Sequence, residues 1–220
     1  MNSFEAGSAA YRAGDFATAA KAFRVVAAAK PAAGTFQNLG NAEWQQRRTA
    51  EAILAWEQAL WMNPFDANAR NNLRFARQTV QLEAPELRWY EVASTWLPVN
   101  WWGWIVGGSL WTVVGVLTLP GVLRLRRASW QQAVAALGLG IFLLSLPAHI
   151  GTMTRTRLGV IFPNDTPLRL TPTTGAEAIT RLAAGEPARW VRASGDYLFI
   201  RTNRGAGWVE RGQFALVCAP

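Results

Sequence analysis

The sequence predicts a multidomain α plus β protein: an α-helical repeat solenoid, a hairpin of two transmembrane helices, and a small C-terminal β-barrel. Three observations carry this reading. Matching small and aromatic residues recur at a fixed interval through the first eighty positions. The 22 basic and 14 acidic residues leave two long uncharged stretches, from Glu91 to Arg124 and from Arg127 to Arg155. After the second stretch the chain breaks into short apolar runs separated by Gly, Pro and Asn. The expected boundaries are 1–80 for the repeat domain, 81–98 for a linker, 99–150 for the hairpin and 151–220 for the barrel domain.

In the first segment, Gly7 and Gly40, Ala19 and Ala52, Phe23 and Trp56, and Pro31 and Pro64 are each 33 residues apart. Two short helices pack closely when small residues occupy the crossing and large ones fill the gap beside it. Pro31 and Pro64 close each second helix, because proline lacks an amide hydrogen and clashes with the preceding turn. These residues resemble the tetratricopeptide repeat (TPR) over roughly residues 3 to 78. The second block matches at Phe36, Leu39, Gly40, Asn41, Ala52, Ile53, Trp56, Ala59 and Pro64, and departs at Arg47, Arg48 and Thr49, where the turn Gly14-Asp15-Phe16 would repeat. A third helix, Asp66 to Gln78, is expected to cap the array with Leu73 and Phe75 turned inward. The resemblance implies a groove that binds a partner protein through Asn38, Asn41 and Gln45. A solvated helix face accounts for the same polar positions.

Val99 to Leu123 is 25 uncharged residues, about 37 Å as a helix, against a hydrocarbon core of about 30 Å. Trp96, Trp101, Trp102 and Trp104 crowd one end, as amphipathic rings do at the headgroup level. The second expected span, Ala133 to Ile150, is 18 residues and apolar on all faces. Gly103 with Gly107, or Ala136 with Gly140, are candidate points of close helix contact. A hairpin puts both outer segments on the same side of the membrane. Arg124, Arg126 and Arg127 lie in the turn, while Arg88, Arg155 and Arg157 flank the spans, so the counts tie and density favours a cytoplasmic turn. Export of the first segment calls for a signal sequence, and the chain starts inside the repeat. The expectation is a start that lies further upstream rather than a reversed topology.

Strand-like runs follow at Leu158 to Phe162, Thr166 to Leu170, Ala188 to Arg192, Tyr197 to Arg201 and Gly207 to Glu210. So small a sheet would expose its edges unless it curled and closed. The order Leu168 to Pro172, then Gly185-Glu186, then Gly195-Asp196-Tyr197 to Ile200, then Gly207-Trp208-Val209 resembles the bacterial SH3 (SH3b) domain, with Tyr197 where a Trp often follows Gly-Asp. The resemblance implies peptide contact through Trp190, Tyr197 and Trp208. A core role for Trp208, in a domain that serves as an attachment module, is the competing reading.

The net charge of +8 is scattered among acids in the first segment, which argues against nucleic-acid binding. One histidine, His149, and one cysteine, Cys218, exclude a metalloprotease helix, a cysteine-based metal site and an internal disulfide within one chain. His149 is expected at the membrane interface as a polar cap. No phosphate loop and no intramembrane acid or base stands out. No catalytic residue, cofactor or metal is expected, and the chain is not expected to be an enzyme.

Helical repeats, two spans and the SH3b-like segment, in that order, resemble the E-type proteins of the bacterial aerotolerance (Bat) operon. That family implies a periplasm-facing protein of the bacterial inner membrane, acting beside membrane-bound von Willebrand A-domain proteins and a MoxR-type ATPase. Two functions follow: a scaffold whose repeat groove holds a partner, or a sensor of cell-wall peptides acting through the C-terminal segment.

Overall fold

Small residues at matched positions set how the first helices stack. The computed structural model describes residues 3–124 and 129–218. It begins with α1 (Ser3–Arg12), α2 (Phe16–Ala29), α3 (Ala33–Gln45), α4 (Thr49–Met62) and α5 (Ala67–Thr79). Gly7 of α1 lies under the Phe23 ring and Gly40 of α3 under the Trp56 indole, where an added Cβ would come within 2.9 and 2.6 Å of ring atoms. Phe23, Trp56, Ala19 and Ala52 are all buried. The 33-residue interval is therefore an interval between equivalent packing positions.

The helix ends repeat as well. α1, α3 and α5 are each followed by a left-handed residue, Gly14 at φ 79°, Arg47 at φ 62° and Gln81 at φ 55°. The next amide then folds back onto the helix: Asp15 N–H donates to Ala10 O at 3.0 Å, Arg48 N–H to Glu43 O at 3.0 Å and Leu82 N–H to Arg77 O at 2.9 Å. Such a wrapped end satisfies carbonyls that would otherwise lack partners, and glycine usually supplies its left-handed residue. Asp15 and Asp66 cap α2 and α5 by accepting from the amides of Thr18 and Ala69, whereas Arg48 starts α4 without a side-chain cap. Leu73 and Phe75 do not both turn inward. Two helical positions two residues apart differ in direction by roughly 200°, so Leu73 is buried and Phe75 is 59% exposed.

The C-terminal strands are β1 (Leu158–Ile161), β2 (Thr166–Arg169), β3 (Ala178–Leu182), β4 (Pro187–Ser194), β5 (Tyr197–Thr202), β6 (Gly205–Glu210) and β7 (Phe214–Leu216). All pair antiparallel, in the order β3-β2-β6-β5-β4-β1-β7. The expected SH3-like barrel is not formed: the seven-stranded sheet is open, with β3 and β7 as its edges. Side chains such as Ile161, Leu168, Ile200 and Phe214 pack together on its inner face. On the other face, the β1 residue Val160 belongs to the core of α2–α5, with Phe162 packed beside it. The helices thus pack on the β1 part of the outer face, and the two edge strands are five and three residues long. Short edges limit unpaired backbone.

Helical array and sheet form one compact unit, residues 1–86 with 156–220. Gly185, at φ 85°, makes the joint, where a Cβ would lie 2.6 Å from Ile53 Cδ1 and 3.2 Å from Leu82 Cδ1. Asn203 Nδ2 donates to Glu83 Oε2 at 2.9 Å across the same joint.

Residues 87–155 form the second unit, made of α6 (Trp89–Ala93), α7 (Val99–Val122) and α8 (Ser129–Arg155). α7 and α8 are each long and apolar enough to cross a membrane, with mean hydropathies of 1.7 and 2.0. Only 11% and 17% of their apolar windows are buried, so protein does not cover them as it would the core helix of a soluble fold. α8 outruns the expected 133–150 stretch at both ends. Arg126 and Arg127 of the turn lie outside the described residues. The two helices approach closely at Gly138, where a Cβ would meet Val113 Cγ2 at 3.0 Å, while Gly107 and Gly140 face open space. Trp96, Trp101 and Trp104 are exposed, but Trp102 is buried and donates its indole N–H to Ser94 O at 3.1 Å.

Candidate functional site

α3 presents Asn38, Asn41 and Gln45 along one face, at the three- and four-residue steps of a helix. Their side chains have different tasks. Asn41 Oδ1 accepts from Trp56 Nε1 at 3.1 Å and from Asn72 Nδ2 at 2.8 Å, so its carbonyl ties α3 to α4 and α5. Asn38 is half-buried and Gln45 is exposed. Beside them Trp44 sits between two rings, 6.0 Å from Trp56 and 6.0 Å edge-on from Phe75. The exposed Phe75 ring thus lies edge-on to the partly buried Trp44, which in turn lies against the buried Trp56.

The sequence reading did not single out Trp44 and placed Phe75 in the core, because their neighbourhood depends on how α5 lies against α3. Glu43 was missed for a similar reason. It is 1% exposed, bonded by Arg24 of α2, and its second oxygen lies 3.6 Å from Arg48. An ion pair between Arg77 and Glu57 joins α5 to α4. Both contacts position the surface rather than belong to it. The signal available was Glu43 as the single charged residue of α3.

On the sheet, register separates the three aromatics proposed for peptide contact. Tyr197 and Trp208 share the outer face with Phe199, because Phe199 lies directly opposite Trp208 on β6. Trp190 lies opposite Ile200 and packs on the inner core. Its indole N–H is buried without a hydrogen-bond partner. Trp208 is only 7% exposed, edge-to-face with Phe199 at 5.2 Å. Above both rings lies the Arg192 guanidinium, 5.1 Å from the Phe199 centroid and 5.3 Å from Trp208. Strict alternation would put Arg192 on Trp190's face. A register shift between Trp190 and Arg192 moves it to the other side, which is why linear spacing did not reveal it.

Where the chain after α5 crosses the sheet, a cavity of about 190 Å³ is lined by Gln81, Glu83, Glu186 and Arg204, among others. Its charges are mutually occupied: Arg204 Nε lies 3.5 Å from Glu186 Oε1, Glu186 Oε2 accepts from Ala183 N–H at 3.1 Å, and Glu83 accepts from Asn203. This cavity is a clasp between array and sheet. In the second unit His149 lies beside Gly103, its Nδ1 buried and without a hydrogen-bond partner. Among the described residues no three His, Cys, Asp or Glu side chains converge on a metal position. Burial pushes the Cys218 thiol up from its ordinary range, which makes it a weaker nucleophile at neutral pH.

Two surfaces result: an aromatic face where Phe75 of α5 meets Trp44 of α3, and an arginine–aromatic face on the sheet. No protein-family model matches the chain, and no curated protein matches it.

Proposed function

We propose that this protein is a membrane-anchored scaffold of the bacterial cell envelope, in which the α3–α5 face holds a partner protein. The observation that carries the reading is Phe75, a large aromatic left 59% exposed edge-on to Trp44, on a helix that Asn72 ties to Asn41 of α3. Protein interfaces are enriched in aromatic residues at their centre and are polar at the rim. Two helices long and apolar enough to cross a membrane supply the anchor. The resemblance to the E-type Bat proteins supports a membrane-bound von Willebrand A-domain protein as the partner, in a complex served by a MoxR-type ATPase. Both outer segments then face the periplasm and the α7–α8 turn faces the cytoplasm. The scaffold needs no catalytic group of its own.

A photo-crosslinking residue at Gln45, with the full chain in membranes, should give discrete adducts that disappear in Phe75→Glu. The same residue at Lys21, which is exposed on α2, should give none of them. Adducts equally strong at both positions, or surviving the Phe75 change, would remove the face from consideration. Orientation is read separately with single cysteines at Ser129 or Ser194 in a Cys218→Ser background. An impermeant thiol reagent on intact cells should label position 194 and spare position 129; the reverse pattern would put the scaffold in the cytoplasm.

A further inference from the structure

The short helix α6 has its polarity reversed. Glu91 is 0% exposed and Ser94 is buried with it, whereas Trp89 is 71% exposed, Val92 is exposed, and Trp96, in the turn that leads to α7, is 66% exposed. Trp89 and Val92, three residues apart, share one side of the helix, and Glu91 and Ser94 share the other. A surface helix in water turns its polar residues outward and its apolar stripe inward. Leaving two indoles in water while taking a carboxylate out of it is unfavourable on both counts. The inward groups are nonetheless well held. Glu91 accepts from the Arg88 amide at 2.9 Å, and Ser94 Oγ donates to Glu91 O at 2.6 Å and accepts from Arg155 Nη1 at 3.1 Å. The seat on α8 is close: a Cβ on Gly151 would collide with the Tyr90 carbonyl oxygen and come within 3.0 Å of Ser94 Cβ. Polar groups satisfied inward and apolar groups turned outward is the arrangement required where lipid is the solvent.

We propose that α6 is an interfacial helix, with Trp89, Val92 and Trp96 embedded among the headgroups and upper acyl chains of the membrane that α7 and α8 cross. The inference rests on the membrane-anchored reading above. The depth follows from the helix ends. The 27 residues of α8 extend about 40 Å, some 10 Å more than the roughly 30 Å hydrocarbon core, so the helix reaches into the headgroup region. α6 meets α8 at Gly151, about 6 Å before its last residue, Arg155. It meets α7 in its first turn, where Trp102 donates its indole N–H to Ser94 O at 3.1 Å. Both contacts lie at the same mouth of the hairpin, and five residues are too few to cross the core. Trp101 and Trp104, also exposed, add indoles at this end of α7, the level at which such rings settle. A second copy of the chain would also offer apolar surface, but continuity with the uncovered sides of α7 and α8 selects lipid.

The test uses the full chain in the Cys218→Ser background, reconstituted into phosphatidylcholine vesicles at a low ratio of protein to lipid. A nitroxide is placed by Val92→Cys and, as a second site on the same helix side, by Trp89→Cys. Leu144→Cys, on the exposed side of α8, and Lys21→Cys, exposed on α2, mark the lipid and water limits. Relaxation by oxygen, which concentrates in lipid, is compared with relaxation by a water-soluble nickel chelate. Positions 89 and 92 should favour oxygen and read roughly 5–10 Å below the headgroup boundary. Position 144 should read deeper, and position 21 should be open to nickel. Nickel access at 89 and 92 equal to that at 21, with 144 still shielded, would overturn the interfacial helix and leave the anchored reading standing. Nickel access at 144 as well defeats both. Positions 89 and 92 shielded from oxygen and nickel alike would mean that protein, in these vesicles a second copy, covers the helix, and would overturn the lipid contact.

Discussion

Arg47 holds a left-handed backbone at φ 62° in a position where Gly14 sits one repeat earlier. A side chain with a Cβ costs roughly 1–2 kcal/mol there, so Arg47→Gly should raise stability by about 1 kcal/mol in a urea titration. Arg74→Gly, at an exposed position inside α5, should lower it by about 1 kcal/mol. If both changes lowered the midpoint, the left-handed turn would not be the relevant cost. Gly40 makes the opposite demand, because Trp56 fills the space a methyl would need. Gly40→Ala should destabilise by about 1–3 kcal/mol through overpacking. Asp15 adds a pH dependence. Hydrogen bonds from Thr18, side chain first and then backbone, hold its carboxyl below the ordinary value. A folded-state value below the unfolded one stabilises above the unfolded value and is lost as pH falls through the folded one. Asp15→Asn should therefore cost stability at neutral pH, and the gap from the parent should close on acidification below the ordinary carboxylate range. A gap independent of pH would show that the charge is not what caps α2.

At the scale of elements, α5 shows how a helix divides its residues. Leu73→Ala removes a buried side chain and should cost about 2–5 kcal/mol. Phe75→Ser should change stability by no more than about 0.5 kcal/mol, as exposed positions do, while abolishing the crosslinks expected from Gln45. Apolar character alone placed both residues inward. Helical phase forbids it, and that phase was readable in the sequence from the two-residue spacing. The strand run at Trp190 is a different case. Its alternation was legible, but the bulge that carries Arg192 to the outer face arises from pairing with β5 and leaves no mark in β4 by itself.

For the whole molecule, the consequential feature is that residues before and after the apolar hairpin build one unit. Val160 enters the helical core and Gly185 lets the sheet meet Ile53 and Leu82. Gly185→Val should open that joint, both by steric conflict and by disfavouring φ 85°. The parent should unfold thermally in one transition for this unit, followed by near-ultraviolet and far-ultraviolet circular dichroism, and the variant in two. Two transitions in the parent would mean that array and sheet fold independently.

The helical repeat, the two apolar stretches and the presence of a strand-rich end followed from the sequence alone, because periodicity, charge gaps and turn residues are properties of neighbouring positions. What Asn41 bonds, which face Trp190 and Arg192 take, and whether the sheet closes were decided by tertiary structure. Each depends on pairing that a local pattern does not encode: Asn72 against Asn41, the bulged register of β4 on the neighbouring β5, and α4 against β1. Ile161, Leu168, Ile200 and Phe214 cluster with one another on one face of the open sheet, so their burial does not require the closure that its short strands had implied.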